Sequence, residues 1–179
     1  MLKIIIETIP LLIPVIVAII GIRFAIYQLK LNAITQARIK WIENVRDLLS
    51  SIVSDINIVG MEYSDMEEDL KEKEKILTEI EFDKYEEELE KKVDNIIKPY
   101  IHKGDRESFQ LQLYLNKSHP DHIQLIKLID LLLDLEWDDD KKIQIQSSKV
   151  EEKIVELGGK IIQDEWDKIT KENRLNPLY

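Results

Sequence analysis

The chain has 179 residues, 44% apolar and 34% charged, with a net charge of −10, no Cys, five Gly and five Pro. Disulfides and Cys-ligated metal sites are excluded, and so few turn-forming residues predict long helices over many short strands. The charge is uneven: from Glu62 to Glu90 fourteen acids stand against four bases, and nowhere is there the basic stripe that displaces counterions from phosphates, so no nucleic-acid partner is expected.

Thr8 to Ile22 (TIPLLIPVIVAIIGI) carries no charge. Fifteen residues fall short of the ~20 that a bilayer core needs, but a helix from Ile9 to Leu29 rises about 31 Å and contains only Arg23, near enough to one end to snorkel. Tyr27 sits where an interfacial aromatic is expected, and Pro10 and Pro14 fall in the first turns, where a missing N–H costs least. Glu7 and the lack of a small-x-small site after Gly21 count against a cleaved signal peptide. A soluble core helix would need cover on all sides. Residues 1–29 therefore read as a transmembrane anchor. Lys30, Arg38, Lys40 and Arg46 follow it, which puts the N-terminus outside and the bulk in the cytoplasm of a single-pass protein.

No Pro or Gly interrupts Ile22 to Val59, so the membrane helix continues outward. Trp41, Ile42, Val45, Leu48, Leu49, Ile52, Ile56 and Val59 recur at three and four, a wide face for packing against other helices. Gly60 is the expected stop. Ser64 with Glu67 reads as a capping box that opens a second helix, and Pro99 ends it at or before Lys98. Residues 30–98 thus form a long antiparallel hairpin or stalk, with its acidic run at and beyond the turn.

Residues 99–179 read as the C-terminal helical part of the same bundle. Phe109 to Asn116 (FQLQLYLN) and Ile143 to Gln146 (IQIQ) alternate apolar with polar, the pattern of half-buried strands. Phe109 with Leu113 and Leu111 with Leu115 are also helical i, i+4 pairs, so helix is favoured and a short two-stranded ribbon stays open. Ser118 with Asp121, with Pro120 in the first turn, predicts a helix through Leu135. Ser148 with Glu151 predicts the cap of a last helix, and Gly158 and Gly159 inside it predict close approach of another backbone, or a hinge. Asn176 and Pro177 end the ordered part. The expected fold is all-α.

Chemistry is sparse. His119 and His122 lie three apart at a helix start, yet no convergent third ligand or metal motif accompanies them. Turn or capping roles explain them better. Glu136, Asp138, Asp139 and Asp140 lack the glycine and spacing of a calcium loop. There is no phosphate loop, GxSxG or Cys nucleophile, and Arg106 is too far from His119 for the Arg-x-His spacing of helical ribonucleases. No catalytic residue, metal site or cofactor is assigned, and the chain is not expected to be an enzyme.

Three segments read together carry a resemblance. Ala37, Arg38, Trp41, Ile42, Val45 and Arg46 follow the single span; Leu113, Leu115, Asn116 and His122 come next; Glu165, Trp166 and a displaced Lys171 close the pattern. In these the chain resembles a recurrent group of small bacterial single-span, membrane-anchored helical proteins, some found near mobile or phage-defence genes. The resemblance implies a bacterial inner-membrane location and a tethered helical bundle, and it brings no known activity. Arg38, Trp41, Arg46, Glu165 and Trp166 are the candidate partner-binding residues, although Trp41 is better read as bundle packing and the two Arg as ion-paired to the acidic second helix. The expected function is a non-enzymatic, membrane-tethered interaction or effector module. It would work with the lipid bilayer, further copies of itself and a protein partner whose identity the sequence does not give. A static scaffold or anchor is the alternative, and a hydrolase or nuclease a more distant one.

Overall fold

The structure, a computed structural model, describes residues 2–134 and 140–174. Among them there is helix and no strand. The chain divides into two compact units, Met1–Lys40 and Trp41–Tyr179. The elements are α1 (Leu2–Lys73), α2 (Glu79–Lys92), a short π-helical stretch (Val93–Ile97), α3 (Lys98–Tyr114), α4 (Pro120–Leu133) and α5 (Asp140–Arg174).

In the first unit, α1 passes through the apolar stretch, and from Ile13 to Leu29 its large apolar side chains are exposed. It is the one helix among the described residues long and apolar enough to cross a membrane, and none of its most apolar window is buried.

The second unit holds the core. Leucine and isoleucine at helical spacing interlock from four helices: Val45, Leu49, Ile52 and Ile56 of α1, Leu111 of α3, Leu125, Ile129 and Leu132 of α4, and Val150, Ile154 and Ile161 of α5. Fully burying each such side chain contributes about 1.5–3 kcal/mol. A second cluster, Val59, Met66 and Ile97 with Tyr63, Leu89 and Tyr100 packed on it, fills the hairpin beyond the main core.

The hairpin forms, but its turn is displaced. α1 does not stop at Gly60; it continues to Lys73, with Val59 and Met66 buried on either side of the glycine. A helical Gly costs only about 1 kcal/mol, less than burying those two side chains returns. Ser64 and Glu67 are accordingly mid-helix. The chain reverses after Lys73, where Ile76 and Leu77 N–H groups both reach the Lys73 carbonyl. Thr78 then opens α2 with extended backbone: its N–H (3.1 Å) and hydroxyl (2.6 Å) both donate to the Glu81 carboxylate, half of a capping box. These bonds hold the Glu81 carboxyl below the usual carboxylate range.

Pro99 does not end the second arm either. It sits in the first turn of α3, straight after the π-helical stretch. The Lys98 N–H donates five residues back to the Val93 carbonyl, and Asn95 Nδ2 donates to the Lys91 carbonyl at 2.7 Å. The wider turn absorbs the proline's missing N–H and ring clash, so the arm carries on to Tyr114. Phe109–Tyr114 is therefore helical, as is the backbone of 143–146 in α5.

Cross-arm contacts run antiparallel. Tyr85 donates to Asp69, Lys92 pairs with Glu62 at 3.1 Å, and Lys103 pairs with Asp55 at 2.8 Å. Asp55 is the most buried acid described, its side chain 6% exposed, and Lys103 also reaches Ser51 Oγ at 3.1 Å. The hydrogen bond to Asp55 raises the Lys103 pKa against the opposing effect of burial.

α4 and α5 complete the bundle. Ser118 is not the cap of α4; His119 occupies that position with extended backbone and Pro120 is the first helical residue. Ser148 does not open α5, which begins at Asp140 and places Ser147 in the buried face. Leu135, Glu136, Asp138, Asp139, Asn176 and Pro177 lie outside the described residues. The two glycines of α5 differ: a Cβ on Gly158 would come within 2.7 Å of Leu49 Cδ1, whereas one on Gly159 would meet nothing within 4 Å. The close approach is thus to a side chain of α1 and concerns Gly158 alone.

Candidate functional site

Trp41, Tyr114, Asn116 and His122 meet at one corner of the second unit. α3 ends at Tyr114, and its last carbonyls lack helical partners. Trp41 of α1 supplies one: its indole Nε1 donates to the Tyr114 carbonyl at 2.8 Å. Asn44, one turn on, donates from Nδ2 to the Tyr114 hydroxyl at 3.2 Å. The link to α4 is then built by Asn116, whose Oδ1 accepts the Ser118 N–H at 2.9 Å while its own N–H donates to His122 Nδ1 at 2.8 Å. The His122 ring lies 6.4 Å from Trp41, stacked at 21°, and 4.8 Å from His119.

Electrostatics follow from this packing. Burial, and then the neighbouring His119, pushes the His122 pKa below that of a free imidazole, which keeps Nδ1 available as an acceptor. Asp121 beside it pairs with Lys160 of α5 at 2.8 Å; the hydrogen bond lowers the Asp121 pKa and raises that of Lys160. Glu165 and Lys168 of α5 are close enough to act on His122 through charge and pair with each other at 2.9 Å.

Of the residues singled out in the sequence, Trp41 and Glu165 contribute to this corner. Arg46 and Trp166 face outward, with the Trp166 side 46% exposed. The Arg46 guanidinium Nε is 3.5 Å from its neighbour Asp47, so its ion pair is local and not with the acidic second helix. Arg38 belongs to the first unit. Asn44, Tyr114 and Lys160 were not found by sequence reading, since each is an isolated polar residue without motif or spacing.

Two surface features flank the corner. A cleft of about 690 Å³ between α1 and α3 is lined by Asp47, Leu48, Ser51, Glu107 and Leu113. A more apolar groove of about 430 Å³ between α1 and α5 is lined by Arg46, Leu49, Val53, Val155, Gly158 and Gly159. Among the described residues, no three His, Asp or Glu side chains are grouped to hold a metal ion. At the corner, Trp41 Nε1 ties α1 to the end of α3, and the Asn116 N–H with His122 Nδ1 ties the following link to α4, which makes it a structural clasp with exposed apolar ground beside it. Comparisons with protein-family models, curated proteins and solved structures found no match for this chain.

Proposed function

We propose that the chain is a membrane-tethered, non-enzymatic interaction module: a single span anchors it in a bacterial inner membrane, N-terminus outside, and a cytoplasmic helical bundle makes protein–protein contacts and self-associates. The observation that carries the reading is the apolar surface of α1 from Ile13 to Leu29, whose large side chains are exposed. Left in water, that many contiguous Ile, Val and Leu side chains would drive aggregation; in lipid they are at home. The bases that follow the span set the orientation.

The absence of native Cys makes topology directly measurable. With Lys3→Cys or Lys117→Cys as sole thiols, the protein should remain in the membrane pellet after alkaline carbonate. An impermeant maleimide should label Lys3→Cys in intact spheroplasts and Lys117→Cys only after permeabilisation. Release by carbonate, or labelling of Lys117→Cys in intact spheroplasts, would sink the proposal. The static-anchor alternative draws on the placement, among the described residues, of every buried apolar side chain at or after Ile42. It requires that an unrelated span in place of residues 1–29 preserve function.

A further inference from the structure

α5 carries two apolar stripes; the protein buries the first and leaves most of the second exposed. The first (Val150, Ile154, Gly158, Ile161) is buried against α1 and α4. The second, about 100° further round, is Val155, Gly159, Ile162 and Trp166; Val155 is 62% and Trp166 46% exposed, and Ile162 is half-buried where the stripe meets the core. Its spacing of four, three and four is that of a seam for packing one further helix.

Gly159 is the informative member. A glycine inside a helix destabilises it relative to alanine, and neither conformation nor space demands one here: φ is not positive, and an added Cβ would meet nothing. The cost is without return inside the monomer, but a glycine in mid-seam lets a second backbone approach closely. The apolar groove along α1 continues this floor.

We propose that the seam pairs with the seam of a second copy of this chain, α5 alongside α5 in parallel. This deepens, and rests on, the membrane-tethered reading, because two chains anchored in one bilayer must run in the same direction. Charge complementarity favours the same partner. α1 and α5 are antiparallel, with Leu49 beneath Gly158 and Asn57 bonded to Glu151, so Arg46 stands level with about residue 161. Arg46 rims the seam on the α1 side; Glu152 and Glu156 rim the other. A twofold axis parallel to the helices brings the basic rim of each copy against the acidic rim of the other. Glu156 lies about 7–8 Å along the axis from the level of Arg46, a gap the two side chains together span.

The test uses the full-length, Cys-free chain in isolated membranes. Under mild oxidation Val155→Cys and Ile162→Cys should each give a disulfide-linked dimer, since like positions of parallel seams face each other within disulfide reach. Asp164→Cys, exposed on another face, should give none. Gly159→Leu added to Ile162→Cys should cut the yield about tenfold or more with helicity unchanged. No dimer from Ile162→Cys, equal dimer from Asp164→Cys, or linkage only between Val155→Cys and Trp166→Cys in a mixture, which marks an antiparallel pair, would overturn the proposal. Carbonate extraction of the same membranes separates the two ideas: a retained chain without cross-links fails the pairing alone, and an extracted chain fails the tether while the cross-links still decide the pairing.

Discussion

Nδ1 of His122 accepts the Asn116 backbone N–H, which it can do only while that nitrogen is unprotonated. Because the folded-state pKa lies below the value near 6.5 of an unfolded chain, the unfolded state binds the extra proton more readily as pH falls. The contribution is therefore complete above about pH 6.5 and is lost as pH drops through that value toward the folded pKa. His122→Gln should cost about 1 kcal/mol at pH 7.5, the worth of one hydrogen bond, and the gap to the parent chain should narrow at pH 5.5. Urea midpoints of both proteins at the two pH values measure this. A gap that stays constant or widens would show that protonation does not disturb the clasp.

Elements were more legible than their ends. The three- and four-residue recurrence from Trp41 to Val59 marked a helix whose face through Ile42, Val45, Leu49, Ile52, Ile56 and Val59 is buried in the structure. Ends depend on small energies that a packed neighbour overrides. Gly60 looked like a stop because nothing local shows that Val59 and Met66 become buried. Pro99 looked like an end because a π turn that absorbs it leaves no signature. Ser64, Ser118 and Ser148 matched capping patterns, but a cap forms only where the backbone leaves the helix; Thr78, unremarked in the sequence, sits at such a place and bonds its Glu81 partner. The clasp was half legible: Trp41 and Asn116 to His122 stood out as segments, but which atoms they would satisfy depended on where α3 stopped. Thr78→Ala tests the real cap. It should lower stability by about 1 kcal/mol and fray the start of α2, read as faster amide exchange at Phe82 and Asp83. Unchanged exchange there would mean the turn is held by the hairpin packing alone.

At the scale of the whole molecule, the two units differ in where their apolar side chains lie. Between Ile13 and Leu29 the large apolar side chains are exposed, whereas Val45, Leu49, Ile52 and Ile56 are buried in a core shared with α3, α4 and α5. The acids concentrated between Glu62 and Glu90 lie, by sequence, well beyond the segment that follows the proposed span, where an anionic leaflet would repel them. All residues of both core clusters, and the ion pair of Asp55 with Lys103, lie within Trp41–Tyr179. A chain starting at Lys40 should therefore stay in solution without detergent, keep its helical circular dichroism and unfold in urea as one cooperative transition. Pairing of its α5 seams would be weaker than in the full chain, because tethering two copies in one membrane raises their effective concentration. If the truncated chain instead aggregates or melts without cooperativity, residues 1–39 contribute to the folded core, and the span is no separable anchor.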